Sequence, residues 1–362
     1  MGKRFVVPFG SQHIAIPEPI RFIFTTENEI IRGVSVDFGY VHRGIEKACM
    51  TKFKYTQVPY VVARVCGLCS ISHATAYCLA VETLMDIEVP ERAKYLRIIA
   101  HELDRIHSHL FAIAHLSEVA GYENLFMRVM RDRELVMECL EIFTGNRVQY
   151  DYSTVGGVNR DLTPEVKETL KKKLKELEKR LYELKEIFEK DYTLQQRWRG
   201  AGVITKEMAY KYNAVGPIAR ASGLATDCRV EFEYLPYAEL GYRMVLYTEG
   251  DIWARNMVRV DETLVSMEIL KNALENLPEG PIKVERIRGN PNGEALVRWE
   301  APRGELLYYV KGNGKPVLER LRIKTPTFSV IPVMKELYKD QPYALVPDIT
   351  ISFDPCLSCT AR

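Results

Sequence analysis

The chain has almost no excess of charge of either sign: 50 lysines and arginines stand against 48 aspartates and glutamates in 362 residues, a net charge of +2. Nucleic-acid binding, which depends on a basic field, has no support from that balance. Long apolar runs are also missing. The apolar stretches fall well short of the ~20 residues needed to span a bilayer. No N-terminal segment shows the charged, apolar and small-residue order of a secretory signal. Eight cysteines are too few at this length for a disulfide scaffold. Together these absences predict a cytoplasmic, reducing location, with any membrane association made through a partner. No internal repeat or low-complexity segment is present. The apolar share, 47%, is enough for a substantial core.

Hydrophobic period gives the architecture. Residues 5–40 alternate apolar and polar positions with a turn at Glu27-Asn28, which reads as an N-terminal hairpin or small sheet. Pro17 and Pro19 hold Glu18 in an extended loop. A helical pattern runs from Pro59 to about Asp86. In residues 91–120, Ala93, Leu96, Ile99, Leu103, Ile106, Leu110 and Ile113 recur at three- and four-residue steps. Another helix covers Arg131–Thr144 and stops at Gly145-Asn146. Thr163-Pro164 opens a further one. Its narrow seam, from Val166 through Leu170, Leu174, Leu177, Leu181 and Leu184 to Phe188, suits a helix packed in cis along a bundle. Residues 205–270 read as helical after a break at Gly216-Pro217. Residues 281–330 read as β, with turns at Pro291-Asn292-Gly293 and Gly312-Asn313-Gly314, and a last helix follows near 330–339. The fold class is α+β: a mainly α-helical bundle core with small β-sheets in the N-terminal and C-terminal parts. The expected organisation is a single domain over 1–362, with a β region at 1–45, the bundle at 59–275, a second β region at 281–330, and a C-terminal helix and metal-binding tail at 331–362.

The cysteines are few but ordered. Cys66 and Cys69 form one Cys-x-x-Cys pair, and Cys356 and Cys359 form another close to the C-terminus. A zinc ribbon separates its pairs by roughly fifteen to twenty residues and forms locally. These two pairs can meet only once the intervening chain has folded, which points towards catalysis. Four soft thiolates suit zinc, an iron–sulfur cluster or a nickel-type site. Spacing alone leaves structural zinc, a cluster and a redox dithiol open. Cys49, Cys78, Cys139 and Cys228 are isolated and read as core thiols. His101, His107, His109 and His115 lie on one helix at steps that spread them over different faces, unlike the i, i+4 pair of a zinc helix.

The flanking residues narrow the choice. Arg64-Val65-Cys66-Gly67-Leu68-Cys69 with His73, Ala301-Pro302-Arg303-Gly304, Arg43-Gly44-Ile45-Glu46 and Asp354-Pro355-Cys356-Leu357-Ser358-Cys359 resemble, in order, the large subunit of nickel–iron hydrogenases. Tyr40-Val41-His42-Arg43-Gly44, the segment from His101 to Leu110, Thr144-Gly145-Asn146-Arg147 and Gly156-Gly157-Val158 resemble the quinone-site subunit of respiratory complex I. That subunit lacks the four thiols. The combination is similar to the membrane-anchored, energy-converting hydrogenases.

The resemblance implies a nickel–iron centre with carbonyl and cyanide ligands on iron. Cys66 and Cys356 would be terminal nickel ligands, and Cys69 and Cys359 the bridges. Dihydrogen would be split or formed heterolytically, the proton passing to Cys356 and then to Glu18. A partly buried carboxylate suits such a relay. Arg303 would stabilise charge over the open side of the metals. Thr327 would bond an iron-bound cyanide, and His73 would donate towards a bridging sulfur. Glu46 would help hold magnesium or iron near the C-terminus, but Arg362 stands where uptake enzymes carry the second ligand, a histidine, and the alternative is that Glu46 pairs with an arginine. For the end at Arg362 the resemblance implies either a chain trimmed of a C-terminal extension or a family member that never had one. The implied partners are a small iron–sulfur subunit, the other subunits of a membrane-anchored complex and, indirectly, ferredoxin. The competing expectation is a non-catalytic scaffold or electron-transfer subunit of a complex I-like assembly, its cysteines holding structural zinc.

Overall fold

A computed structural model describes residues 4–232 and 234–362. Strands β1 (Arg4–Phe9), β2 (Arg21–Glu27) and β3 (Ile30–Asp37) form an antiparallel sheet in that order. The β2–β3 turn falls on Asn28-Glu29, one residue later than the pattern suggested. Both have positive φ, 49° and 67°, the twist that a two-residue hairpin needs. Phe22 and Phe24 on the inner face meet the ring of Tyr338 edge-on, at 5.5 and 5.1 Å. The sheet is thereby fastened to the C-terminal part of the chain.

Three helices follow: α1 (Ile45–Thr51), α2 (Val58–Ala63) and α3 (Ser70–Met85). The single helix expected from Pro59 to Asp86 is split, because residues 64–69 leave the helical path. That break carries the first cysteine pair. Helices α4 (Glu91–Val119) and α5 (Glu123–Thr144) pack against each other, and Gly145 ends α5 in the left-handed region with φ 88°. The short strands β4 (Ser153–Thr154) and β5 (Gly157–Val158) pair next. Helix α6 (Pro164–Lys190) begins where Thr163 accepts the Val166 N–H at 3.3 Å. Its leucine seam is buried against α5 and the later helix α11 (Ile252–Glu275), so the seam is satisfied in cis.

Helices α7 (Tyr192–Trp198), α8 (Lys206–Lys211), α9 (Gly216–Ala221) and α10 (Cys228–Glu231) lie between α6 and α11. The helical reading of 205–270 therefore holds only in pieces. Between α10 and α11 the described chain contains one turn of 3-10 helix, Ala238–Leu240. Pro236, Gly241 and Gly250 interrupt regular structure there. Gly250 has φ 65°, and a Cβ on it would lie 2.1 Å from the Ile204 carbonyl oxygen.

The second sheet contains β6 (Asn292–Ala301), β7 (Gly304–Asn313) and β8 (Arg320–Lys324) in that order, all antiparallel. Neither glycine-rich turn read from the sequence reverses this hairpin. Asn292 pairs with Asn313 and Gly293 with Gly312 at its open end. The chain turns instead at Pro302-Arg303, so the hairpin tip delivers Arg303 into the interior. Helices α12 (Pro326–Leu337), α13 (Val346–Ser352) and α14 (Leu357–Ala361) complete the chain.

Candidate metal centre

The two cysteine pairs converge. Cys66 Sγ lies 3.3 Å from Cys356 Sγ, and Cys69 Sγ lies 3.6 Å from Cys359 Sγ. All four are buried and free of disulfides. The ligand atoms of Cys66, Cys356 and Cys359 lie within 4.8 Å of one another, as do those of Cys69, His73 and Cys359. Cys66 is held well below the ordinary thiol range, first by its hydrogen bonds with Cys356 and Cys359. Cys359 is pushed well above that range by its bond to Cys356, then by Cys66, Cys69 and burial. The mutual hydrogen bonds thus make Cys66 the most acidic of the four sulfurs. A cation would draw off the thiol protons and take four thiolate donors. The donor set fits a soft metal.

Local structure explains the convergence. The first pair sits in the break between α2 and α3, with Cys69 just before α3. The second pair straddles the start of α14, where the Cys356 Sγ accepts the Cys359 N–H at 3.4 Å. Arg43, just before α1, binds both loops together. Its guanidinium donates to the carbonyls of Arg64 (2.7 Å), Val65 (2.9 Å) and Ser358 (2.9 Å). His42 Nδ1 adds a bond to the Ala361 carbonyl at 2.6 Å.

A cavity of about 230 Å³ opens beside Cys66 and Cys356, lined also by Glu18, Phe111, Arg303 and Asp354. Glu18 Oε2 accepts the Ser358 N–H at 3.0 Å and also the Leu357 N–H, while Oε1 accepts the Ser358 hydroxyl. Arg303 Nη2 donates to Asp354 Oδ1 at 2.7 Å, its Nε to the Asp354 carbonyl at 2.8 Å, and its Nη1 to Ser108 Oγ at 3.0 Å. A buried guanidinium would be costly without these partners. Thr327 Oγ1 accepts the Cys356 N–H at 3.1 Å, which leaves its own proton available.

His73 bridges outward from the thiols. Nδ1 is 2.7 Å from the Tyr308 hydroxyl and Nε2 is 3.5 Å from Cys359 Sγ. Burial drives its pKa down to about 4, so the ring is neutral. The neutral ring carries one proton; a Tyr308 hydroxyl that donates to Nδ1 would set it on Nε2, facing the sulfur.

Glu46 lies apart from the thiols. Its carboxylate accepts the Ile323 N–H (2.9 Å), Arg322 Nη1 (2.6 Å) and Arg362 Nε (3.1 Å). Burial alone would raise its pKa, but these donors bring it below the ordinary value. One carboxylate flanked by two guanidinia does not fit magnesium or iron, and among the described residues it belongs to no group of three or more acidic, histidine or cysteine ligands. The structure places an ion pair where the resemblance implied a hard cation.

Three partners escaped the sequence reading: Arg43 as the tie between the cysteine loops, Asp354 as the counterion of Arg303, and Ser108. The Asp354-Pro355 step carried a signal, since Asp354 has φ 52° and a non-glycine residue in that region warrants a reason.

Fold and site together define a mainly helical subunit whose cluster of four buried thiols, able to hold a metal, is drawn from distant parts of its chain. Comparison with known proteins makes this specific. Residues 120–291 and 287–362 match the family described as the respiratory-chain NADH dehydrogenase 49 kDa subunit, and residues 43–121 match the nickel-dependent hydrogenase family. The chain is 37% identical to the carbon monoxide-induced hydrogenase of Rhodospirillum rubrum over 99% of both chains. It is 38% identical to the membrane-bound hydrogenase subunit alpha of Pyrococcus furiosus, over 98% of this chain and 87% of that one. A solved chain of the membrane-bound sulfane sulfur reductase, an archaeal respiratory membrane complex, superposes with a TM-score of 0.94 at 29% identity, covering 99% of this chain and 98% of the other. The chain belongs to the family that unites nickel–iron hydrogenase large subunits of membrane-bound complexes with the 49 kDa subunit of complex I. No helix among the described residues is long and apolar enough to cross a membrane.

Proposed function

We propose that this chain is the catalytic large subunit of an energy-converting nickel–iron hydrogenase that reversibly reduces protons to dihydrogen. The observation that carries the reading is the convergence of four buried thiols beside a cavity holding Glu18 and Arg303. Cys66 and Cys356 would be terminal nickel ligands, Cys69 and Cys359 would bridge to iron, and the iron would carry carbonyl and cyanide. Bound there, such a centre supplies heterolytic cleavage or formation of dihydrogen.

The chain's own groups manage charge and protons around it. Cys356 Sγ takes a proton at the cavity wall. Glu18, tied to the next two residues of the same turn, passes it outward. Arg303, fixed by Asp354 and Ser108, presents a permanent positive charge to the cavity without titrating. His73 Nε2–H steadies charge on Cys359, and the Thr327 hydroxyl is free to bond a cyanide. Electrons would arrive from ferredoxin through a small iron–sulfur subunit, with the other subunits anchoring the complex to the cytoplasmic face of the membrane and coupling turnover to ion translocation.

The purified complex should contain nickel and iron and show infrared bands of metal-bound carbonyl and cyanide. Zinc alone, with no such bands, would instead support the second reading, a complex I-like scaffold with a structural metal. That alternative is favoured by the match of residues 120–291 and 287–362 to the family of the respiratory-chain NADH dehydrogenase 49 kDa subunit. Glu18→Gln should slow H2/D2 exchange by about 10²-fold, the usual scale of a positioned acid or base, with nickel content unchanged. Unimpaired exchange would remove Glu18 from the relay.

A further inference from the structure

The two cysteine loops belong to distant parts of the chain, yet their sulfurs meet in two close pairs. A thiol is a weak hydrogen-bond donor and a weak acceptor. Contacts of that kind are too feeble to keep two irregular stretches, residues 64–69 and 354–356, in register with each other. The spacing of the sulfurs therefore needs a stronger tie between the loops.

Arg43 supplies it. Its Nη2 donates to the Val65 carbonyl and to the Ser358 carbonyl, each at 2.9 Å. Val65 immediately precedes Cys66 and Ser358 immediately precedes Cys359, so a single nitrogen spans from one cysteine of each pair to the other. Nη1 adds the Arg64 carbonyl at 2.7 Å, and Nε bonds the Val41 carbonyl at 3.1 Å, which fixes the plane of the fork. The other ties are one-sided: Glu18 and Thr327 bond only the second loop. Among the described residues, no other side chain outside the four cysteines bonds both loops. Hydrogen bonds from a charged donor are roughly twice as strong as neutral ones. A planar guanidinium can hold several acceptors at once, where an ammonium is a point charge.

We propose that Arg43 is a positioning residue for the metal: it preassembles the thiol cage, so that a soft cation meets four sulfurs already in place. Without it, the two loops would have to be ordered against each other at the moment of binding, and that cost would be subtracted from the affinity. The side chain lies at the exposed surface of the chain, so its replacement leaves the apolar core intact. The role rests on the reading that the four thiols take a metal, whichever metal that is.

Co²⁺ is a suitable probe, because its thiolate charge-transfer absorption reports the sulfurs bound and its titration gives an affinity without any turnover. The metal-free full chain, kept under anaerobic conditions, should bind Co²⁺ through thiolates. Arg43→Met keeps an apolar stem and removes the fork. It should bind Co²⁺ about 10–100-fold more weakly, the usual loss when an outer partner of metal ligands is removed, with the same absorption per cobalt bound. Arg43→Lys keeps the charge and should still bind about 10-fold more weakly than the wild type. Circular dichroism checks that the helices are intact; should Arg43→Met fail to fold, Arg43→Lys decides alone. Wild-type affinity in Arg43→Met, or full recovery in Arg43→Lys, would overturn the clamp. Absence of thiolate absorption in the wild type would overturn the metal-centre reading itself, and the two failures are thus told apart.

Discussion

Replacing Glu46 with alanine tests whether an ion pair, rather than a cation, secures α14. The carboxylate holds three donors: the Ile323 N–H, Arg322 and Arg362. Alanine removes all three acceptor contacts at once, whereas glutamine would keep Oε1, which takes both the Ile323 N–H and Arg362 Nε, and turn its amide N–H groups only towards Arg322. The Arg322 side chain is 54% exposed, so its share is small. The Arg362 side chain is 19% exposed and that of Glu46 13%, so this charge-assisted bond counts nearly in full, about 2–3 kcal/mol. Because α14 has five residues, most of the loss should appear as local opening. A change of about 2.5 kcal/mol corresponds to roughly 70-fold faster amide exchange in residues 354–362, with α4 unchanged. If the loss is felt globally, the melting temperature should fall by about 3 °C. Exchange mass spectrometry with and without EDTA decides the cause. The wild type should be insensitive to EDTA. Loosening of 354–362 by chelator, reversed by added Mg²⁺, would refute the assignment.

Two further perturbations follow from buried groups. Burial lowers the pKa of His101 to about 3 and that of His109 to about 4, in the latter against the pull of Glu262. The unfolded chain binds protons near pH 6.5 that the native state refuses, so stability is full above pH 6.5 and is lost as pH falls towards 4. Each histidine should account for about 2 kcal/mol between pH 7 and pH 5, seen as a falling urea midpoint; an unchanged slope in His109→Gln would contradict this. Gly216 has φ 62°, and a Cβ there would lie 2.3 Å from the Arg303 carbonyl oxygen and 2.5 Å from Gly304 Cα. Gly216→Ala should cost about 2–4 kcal/mol, well beyond Gly223→Ala, whose nearest neighbour is a side-chain carbon at 3.6 Å. Equal urea midpoints for the two variants would count against a backbone clash at the Arg303 turn.

Much of the α+β architecture was readable because it is periodic. The α4 core positions and the α6 seam repeat at helical steps and are buried as those steps require. The break at 64–69 was hidden because Val62, Ala63 and Val65 continue the apolar pattern on its approach. The hairpin tip at Pro302-Arg303 was hidden because the stronger turn signals, at Gly293 and Gly312, lie at the open end of the same hairpin. Motif order brought the four cysteines, Glu18, Arg303 and Thr327 to one place, but no local pattern tells which distant carbonyls a guanidinium will reach. The tie made by Arg43 is of that kind, and so is the pairing of Arg303 with Asp354.

Cys66 and Cys356 are separated by 290 positions yet stand in contact. A metal held by both would act as a cross-link closing a loop of nearly the whole chain. By the chain-entropy estimate for such loops, this restricts the unfolded ensemble by about 5–6 kcal/mol, close to the net stability of many domains. The loaded protein would then differ from the empty one in its topology as well as its chemistry. Denaturation that leaves the metal in place would yield a closed ring with 65 residues free on the N-terminal side and 6 on the C-terminal side, from which refolding starts with one of its most distant contacts already made.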